Sequence, residues 1–163
     1  MTWRVWGRRL VTSDLSSTTV YQTVQFNSNI VFRGCRLWII HYNDPTYTSL
    51  NLKLYSGSTS STSTSVPKEL LATSTNIQLK TSIMETEIHG NKEIWFEFTD
   101  TPLNKDTIYH FVLNGTGYTD AWPTSGLALR RAFPDPIYTV NISVSWNNIN
   151  SLPYIYTFIG AEI

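Results

Sequence analysis

The sequence predicts an all-β protein: a single antiparallel two-sheet sandwich of the jelly-roll type, with about nine or ten strands and an N-terminal arm. Three observations predict it. First, Glu93-Ile94-Trp95-Phe96-Glu97-Phe98 alternates polar and apolar residues, residues 99–106 carry turn chemistry, and Thr107-Ile108-Tyr109-His110-Phe111-Val112-Leu113 resumes as a strand. Second, the 163 residues hold 6 Trp, 9 Tyr and 7 Phe beside many Thr and Val, residues that suit a pleated, half-buried surface. Third, no segment shows the 3.6-residue period of an amphipathic helix.

Taken in order, residues 1–17 read as the arm and 18–163 as the sandwich domain. In the arm Trp3, Val5 and Trp6 form at most a short strand, ended by Ser13-Asp14-Leu15-Ser16-Ser17. Residues 18–26 are the first full strand, with Val20, Val24 and Phe26 on one face. Residues 36–42 are apolar on both faces, Leu37 and Ile39 against Trp38 and Ile40, which predicts a central strand covered on both sides. Asn43-Asp44-Pro45 ends it. Residues 50–55 alternate, leucines inward. The Ser/Thr tract at 56–65 has little to bury and predicts a mobile surface loop. Weaker strands follow at 69–73, 77–80 and 83–89, and Gly90-Asn91 turns into the strand at 93–98. After the strand at 107–113 come an irregular stretch at 118–125 and a short strand at 127–132. Residues 137–146 alternate, with Tyr138, Val140, Ile142, Val144 and Trp146 inward, and residues 154–159 close the fold. Pairing of the first and last strands along their length would complete the jelly roll.

Composition narrows the function. Twelve basic and twelve acidic residues cancel, which argues against nucleic acid as the main partner. The charges are nonetheless separated along the chain. Residues 1–40 hold Arg4, Arg8, Arg9, Arg33 and Arg36 against Asp14, a balance of +4; residues 85–106 hold six acids against Lys92 and Lys105, a balance of −4. Opposed poles on a neutral chain favour association of copies, or lie side by side within one subunit. Ser and Thr total 39 residues, so the surface is polar by hydroxyl more than by charge. The single cysteine, Cys35, excludes an internal disulfide and reads as a small core hydrophobe. The basic start lacks the apolar run of a secretory signal, and the longest apolar runs, such as residues 37–40, fall far short of the roughly 20 residues a membrane helix needs. A soluble protein made in a cytoplasm, without membrane contact, is the expectation.

No phosphate loop, metalloprotease motif, nucleophile elbow or C-x-x-C pair occurs. Catalytic residues, metal and cofactors are all expected to be none. Glu85, Glu87 and His89 share one strand face, and an exposed charged face explains them better than a metal site. Glu93 and Glu97 flank Trp95, an arrangement a glycosidase would also use, but jelly rolls often carry Glu on solvent faces. Trp95 itself faces away from Ile94, Phe96 and Phe98. With Tyr118 and Trp122, in irregular chain, it is a candidate contact for a glycan or a protein partner. Trp3, Arg4, Trp6, Arg8 and Arg9 combine the two residue types most favoured at interfaces and mark the arm as a docking element.

The segments Trp95-Phe96-Glu97-Phe98, Pro102-Leu103, Tyr109-His110-Phe111-Val112-Leu113 and Tyr154-Ile155-Tyr156-Thr157-Phe158-Ile159 resemble a jelly-roll module of bacteriophage virion proteins, also similar to carbohydrate-binding sandwiches. The resemblance spans roughly residues 18–160 and rests on rhythm. It implies a non-enzymatic virion structural protein, assembled in the host cytoplasm: a capsid decoration (cement) protein, or an accessory protein of collar or tail. The implied partners are further copies of itself, commonly as a trimer, and a major capsid or other virion protein. The alternative it implies is a carbohydrate- or receptor-binding module that stacks a glycan on exposed aromatics.

Overall fold

The computed structural model describes residues 3–9, 21–26, 28–42, 44–61, 64–83, 91–118, 126–132, 142–145 and 155–163. Its elements are β1 (Trp3–Arg9), β2 (Tyr21–Phe26), β3 (Ile30–Tyr42), β4 (Ser49–Gly57), β5 (Pro67–Thr73), β6 (Gln78–Leu79), α1 (Lys80–Ile83), β7 (Asn91–Leu103), β8 (Ile108–Thr116), β9 (Gly126–Ala132), β10 (Ile142–Ser145) and β11 (Ile155–Glu162). They form two antiparallel sheets. Sheet A runs β1-β9-β3-β11, with β7 on the other side of β3; sheet B runs β10-β2-β8-β4-β5, with β6 also on β4. The chain crosses between sheets at β2→β3→β4, returns at β7→β8, and closes sheet A with β11. That is the route of a jelly-roll sandwich.

The thirteen residues of β3 explain how sheet A is built. One side pairs with β7 from Ile30 to Ile40. The other side takes β11 from Ile30 to Leu37 and then β9 from Ile39 to Tyr42. Pairing of the first and last strands, expected from the sequence, does not occur: β1 pairs with β9, while β11 pairs with β3. A long central strand that carries two partners in succession leaves β11 a place beside β3, away from β1.

Alternation along the strands builds the core. Leu50, Leu52 and Leu54 of β4 are fully buried, and face Cys35, Leu37, Ile39 and Phe96 of sheet A within one cluster. Five phenylalanines, Phe26, Phe32, Phe96, Phe111 and Phe158, are its largest fully buried side chains. Phe32 meets Phe111 at 5.3 Å between ring centroids and Phe26 meets Phe158 at 5.6 Å, both edge-to-face. Such pairs stabilise beyond the burial of their area. Cys35 lies in this core, where burial pushes its thiol pKa up.

Two expectations are corrected here. The strand at 36–42 is central, yet its second face is not fully covered: Arg36 is exposed and Trp38 half-buried, because a two-layer sandwich has a single inner space. The strand expected at 77–80 reduces to β6, followed by the single turn α1. There Lys80 N bonds Thr48 O and Ile83 turns into the core. Residues 84–89, with the Glu85/Glu87/His89 face, lie outside the described residues. No described helix is long and apolar enough to cross a membrane.

Candidate docking surface

One side of the sandwich stands apart chemically. β5 and β6 lie end to end along the outer edge of β4: β5 runs beside Lys53–Gly57 and β6 beside Ser49 and Leu50. The edge is about 27 Å long at about 3.4 Å per residue. These two elements and the residues flanking them leave their large aliphatic side chains exposed. Val66 is 48% exposed, Leu70 49%, Leu71 43%, Ile77 55% and Leu79 47%. Among the residues whose side chains are described, only one other large hydrophobic, Ile163, is exposed, so the described apolar exposure is gathered into residues 66–79.

The backbone of this edge resists addition of a further strand. Register shifts between Leu54 and Tyr55 and between Tyr55 and Gly57 leave residues of β5 over, Leu71 among them. Pro67 and exposed Lys68 sit at its start. Bulges, proline and lysine are the usual guards of an edge strand. A partner here meets side chains.

Residues 74–78 then stitch the two sheets together. Ser74 N donates to Leu52 O (2.8 Å) and Leu52 N to Ser74 Oγ (3.1 Å) on sheet B. On sheet A, Thr75 N donates to Glu97 O (2.7 Å). The Asn76 amide donates through Nδ2 to Trp95 O (3.0 Å) and accepts Glu97 N at Oδ1 (2.7 Å), imitating a neighbouring strand. Gln78 Nε2 also donates to Trp95 O, at 2.6 Å. The outer edge of β7 is thus satisfied by short amide and hydroxyl side chains. The aliphatic strip is mounted on a rigid seam.

Beside the seam, Trp95 is half-buried on the outer face of sheet A. The Arg36 guanidinium sits 5.5 Å from its ring centroid, and Nε1 donates to Glu97 Oε1 at 3.1 Å. One face and the polar edge of this ring are therefore engaged within the chain. Arg33 pairs with Asp100 at 3.1 Å. β3 thus lays two cations of the basic pole against the acidic strand β7, while Arg4, Arg8 and Arg9 lie on β1, beyond β3 and β9 in sheet A.

The Ser/Thr tract is not the loose loop expected. Ser56 and Gly57 belong to β4, and Ser65 is 1% exposed. Its Oγ lies 2.8 Å from His110 Nε2, and His110 Nδ1 lies 3.0 Å from Thr23 Oγ1. Ser58 N bonds Val66 O (3.0 Å), Val66 N bonds Ser58 Oγ (2.9 Å), and the Thr59 and Thr64 hydroxyls meet at 3.0 Å. Gly57 makes room for the tether, since a Cβ there would stand 2.6 Å from Ser65 Oγ. Serine, imidazole and a second hydroxyl have the connectivity of nucleophile, base and orienting group. Yet Ser65 is sealed from solvent, and a neutral Thr23 stabilises no imidazolium. The arrangement fastens a loop. Burial lowers the His110 pKa to about 4.

A second buried histidine closes the other end of the core strands. His41 Nε2 lies 2.5 Å from the Tyr47 hydroxyl with the rings stacked, and His41 Nδ1 has no hydrogen-bond partner among the described residues. Lys80 caps the pair: its ammonium lies 5.6 Å from the Tyr47 centroid, bonds Pro45 O, and pairs with Asp44 at 2.8 Å. Burial, then the Lys80 charge, lowers the His41 pKa to about 4 against a small opposing effect of Asp44.

The other residues singled out in the sequence are placed as follows. Trp3, Arg4, Trp6, Arg8 and Arg9 lie on β1, whose backbone pairs with β9, for example Gly7 with Arg130 and Arg8 with Leu129. Tyr118, expected at a contact surface, is in the core cluster: the turn formed by Tyr118 N on Gly115 O folds it inward, so it offers no stacking face. Trp122 lies outside the described residues. Among the described residues, no three of His, Cys, Asp and Glu gather closely enough to hold a metal ion. The seam was missed in the sequence because Leu70-Leu71 breaks alternation. That break, beside Asn76 and Gln78, was the available signal. Comparison with protein-family models, curated proteins and solved structures finds no match.

Proposed function

We propose that this is a non-enzymatic structural protein that works through protein–protein contact, with the seam at 66–79 as its docking surface and a second copy as the first occupant. The observation that carries this reading is the concentration of five half-exposed aliphatic side chains on an edge already rigid. A surface ordered in advance loses little conformational entropy on binding, so more of the apolar burial appears as affinity. A virion decoration or accessory protein, the class its sequence rhythm resembles, uses a small sandwich in this way. The glycan-stacking reading draws less support, because Arg36 and Glu97 already engage Trp95.

Size exclusion with light scattering tests the reading. The wild-type chain is expected to run above its 18.6 kDa, and Leu70→Ser with Leu71→Ser is expected to return it to monomer without loss of fold. Contact through aliphatic residues persists in high salt, whereas contact through the charge poles weakens. A monomeric wild type, or a double variant that keeps the wild-type mass, would refute the seam as a self-docking surface.

A further inference from the structure

We propose that the Thr23–His110–Ser65 relay is a proton-operated latch, holding Ser65 and the adjoining Ser58–Val66 contact while His110 is neutral and releasing them when His110 takes up a proton from solvent. The two sides of the imidazole differ in what covers them. Nδ1 faces Thr23, its register partner across the β2–β8 ladder, which opens only with the sheet. Nε2 faces Ser65, carried on a loop whose residues 58–61 are exposed. A neutral imidazole donates from one nitrogen and accepts at the other, so both hydroxyls are matched. The imidazolium donates from both, and both hydroxyls must accept.

Among the described residues, the protonated ring also meets no counter-ion. The groups around it are Tyr21, edge-on at 5.2 Å, Tyr55 opposite on β4, Thr23 and Ser65. No described charged group contributes to the shift of its pKa, which burial alone sets at about 4. Lifting the loop lets water reach Nε2 and leaves the ladder intact, so it is the less costly response. With the open-state histidine at its ordinary 6.5, the open fraction rises on the order of 100-fold between pH 7 and pH 4.

Val66, the first residue of the seam, hangs on this loop through its two bonds to Ser58. Acid release would therefore alter the docking edge, a consequence that rests on the proposed function. Amide exchange measured by NMR reads the latch with no docking partner, so either idea can fail alone. From pH 7 to pH 4, after correction for intrinsic rates, protection at Ser58, Ser65 and Val66 is expected to fall on the order of 100-fold, while β8 amides hold. His110→Gln keeps donor and acceptor without titrating and is expected to remove the acid step; Ser65→Ala is expected to give low loop protection at every pH. Thr23→Val should disturb the His110 side-chain nitrogen titration and Thr23→Ser restore it. Loop protection independent of pH in the wild type, loss of β8 protection together with the loop, or an unchanged acid step in His110→Gln would overturn the latch.

Discussion

Moderate acid should weaken this fold well before its carboxylates are protonated. His41 and His110 are both buried, and burial is the leading cause that brings each from an ordinary 6.5 to about 4. Between those values the unfolded chain binds protons that the folded chain refuses. Stability therefore falls as pH drops through the window and levels off below about 4. At pH 5 each histidine removes about 2 kcal/mol relative to neutral pH, about 4 kcal/mol together. That is a large part of the 5–15 kcal/mol typical of a domain. If the loop over His110 opens first, its share appears as local exposure, and about 2 kcal/mol from His41 remains as global loss. Asp44 stays ionised throughout, since Lys80 holds its pKa below the ordinary value. The assay is urea unfolding followed by tryptophan fluorescence at several values from pH 7 to pH 4.5. Global stability should fall by about 2–4 kcal/mol at pH 5, and His41→Gln should remove about 2 kcal/mol of that fall. Equal midpoints at pH 7 and pH 5 would refute the reasoning.

Three further outcomes follow from the packing. Asn76→Ala strips Trp95 O and Glu97 N of an amide that imitates a strand; it should cost about 1–3 kcal/mol in the same urea assay and raise exchange at Glu97, and unchanged exchange there would count against the stitch. Gly57→Ala sets a methyl against Ser65 Oγ and Ile108, and should displace the loop tether at about 1–3 kcal/mol, seen as lost protection at Ser65. Cys35, fully buried with its thiol pKa raised, should resist alkylation in the native protein and react only on unfolding; rapid native labelling would place it elsewhere.

What the sequence made legible is what a period of two encodes. Leu50, Leu52 and Leu54 point inward as their alternation predicts, and so do Ile94, Phe96 and Phe98. Misreadings arose where partners are distant in sequence. Ser65 reaches His110 across 45 positions, so a tract of serines and threonines gives no local sign of the histidine that fastens it. Arg33 and Asp100 are 67 positions apart, and only the β3–β7 pairing shows that part of the basic pole lies beside the acidic strand. Trp95 was read correctly as leaving the core, yet nothing in its neighbours disclosed Arg36 above its ring. Cross-strand partners follow from register, and register depends on turns and bulges that composition does not specify.

The unusual composition has a mechanical use in this arrangement. Only 15% of the residues are charged, and hydroxyl and amide side chains close the exposed edge of β7 and the turn into β5. An edge guarded by lysines deters strands, but it also repels a second copy and carries a hydration shell that contact must strip. Asn76, Gln78, Thr75 and Ser74 satisfy the same backbone groups while neutral and short, with less rotamer entropy to lose than Lys or Arg in all but Gln78. The outer edge of β7 is thus closed without charge, and the leucines and isoleucine between the stitches stay uncovered. A protein selected only to avoid self-contact would have charged this strip. Under the proposed function, an apolar strip on a reinforced edge is what a protein with no net charge would need to dock in a fixed orientation.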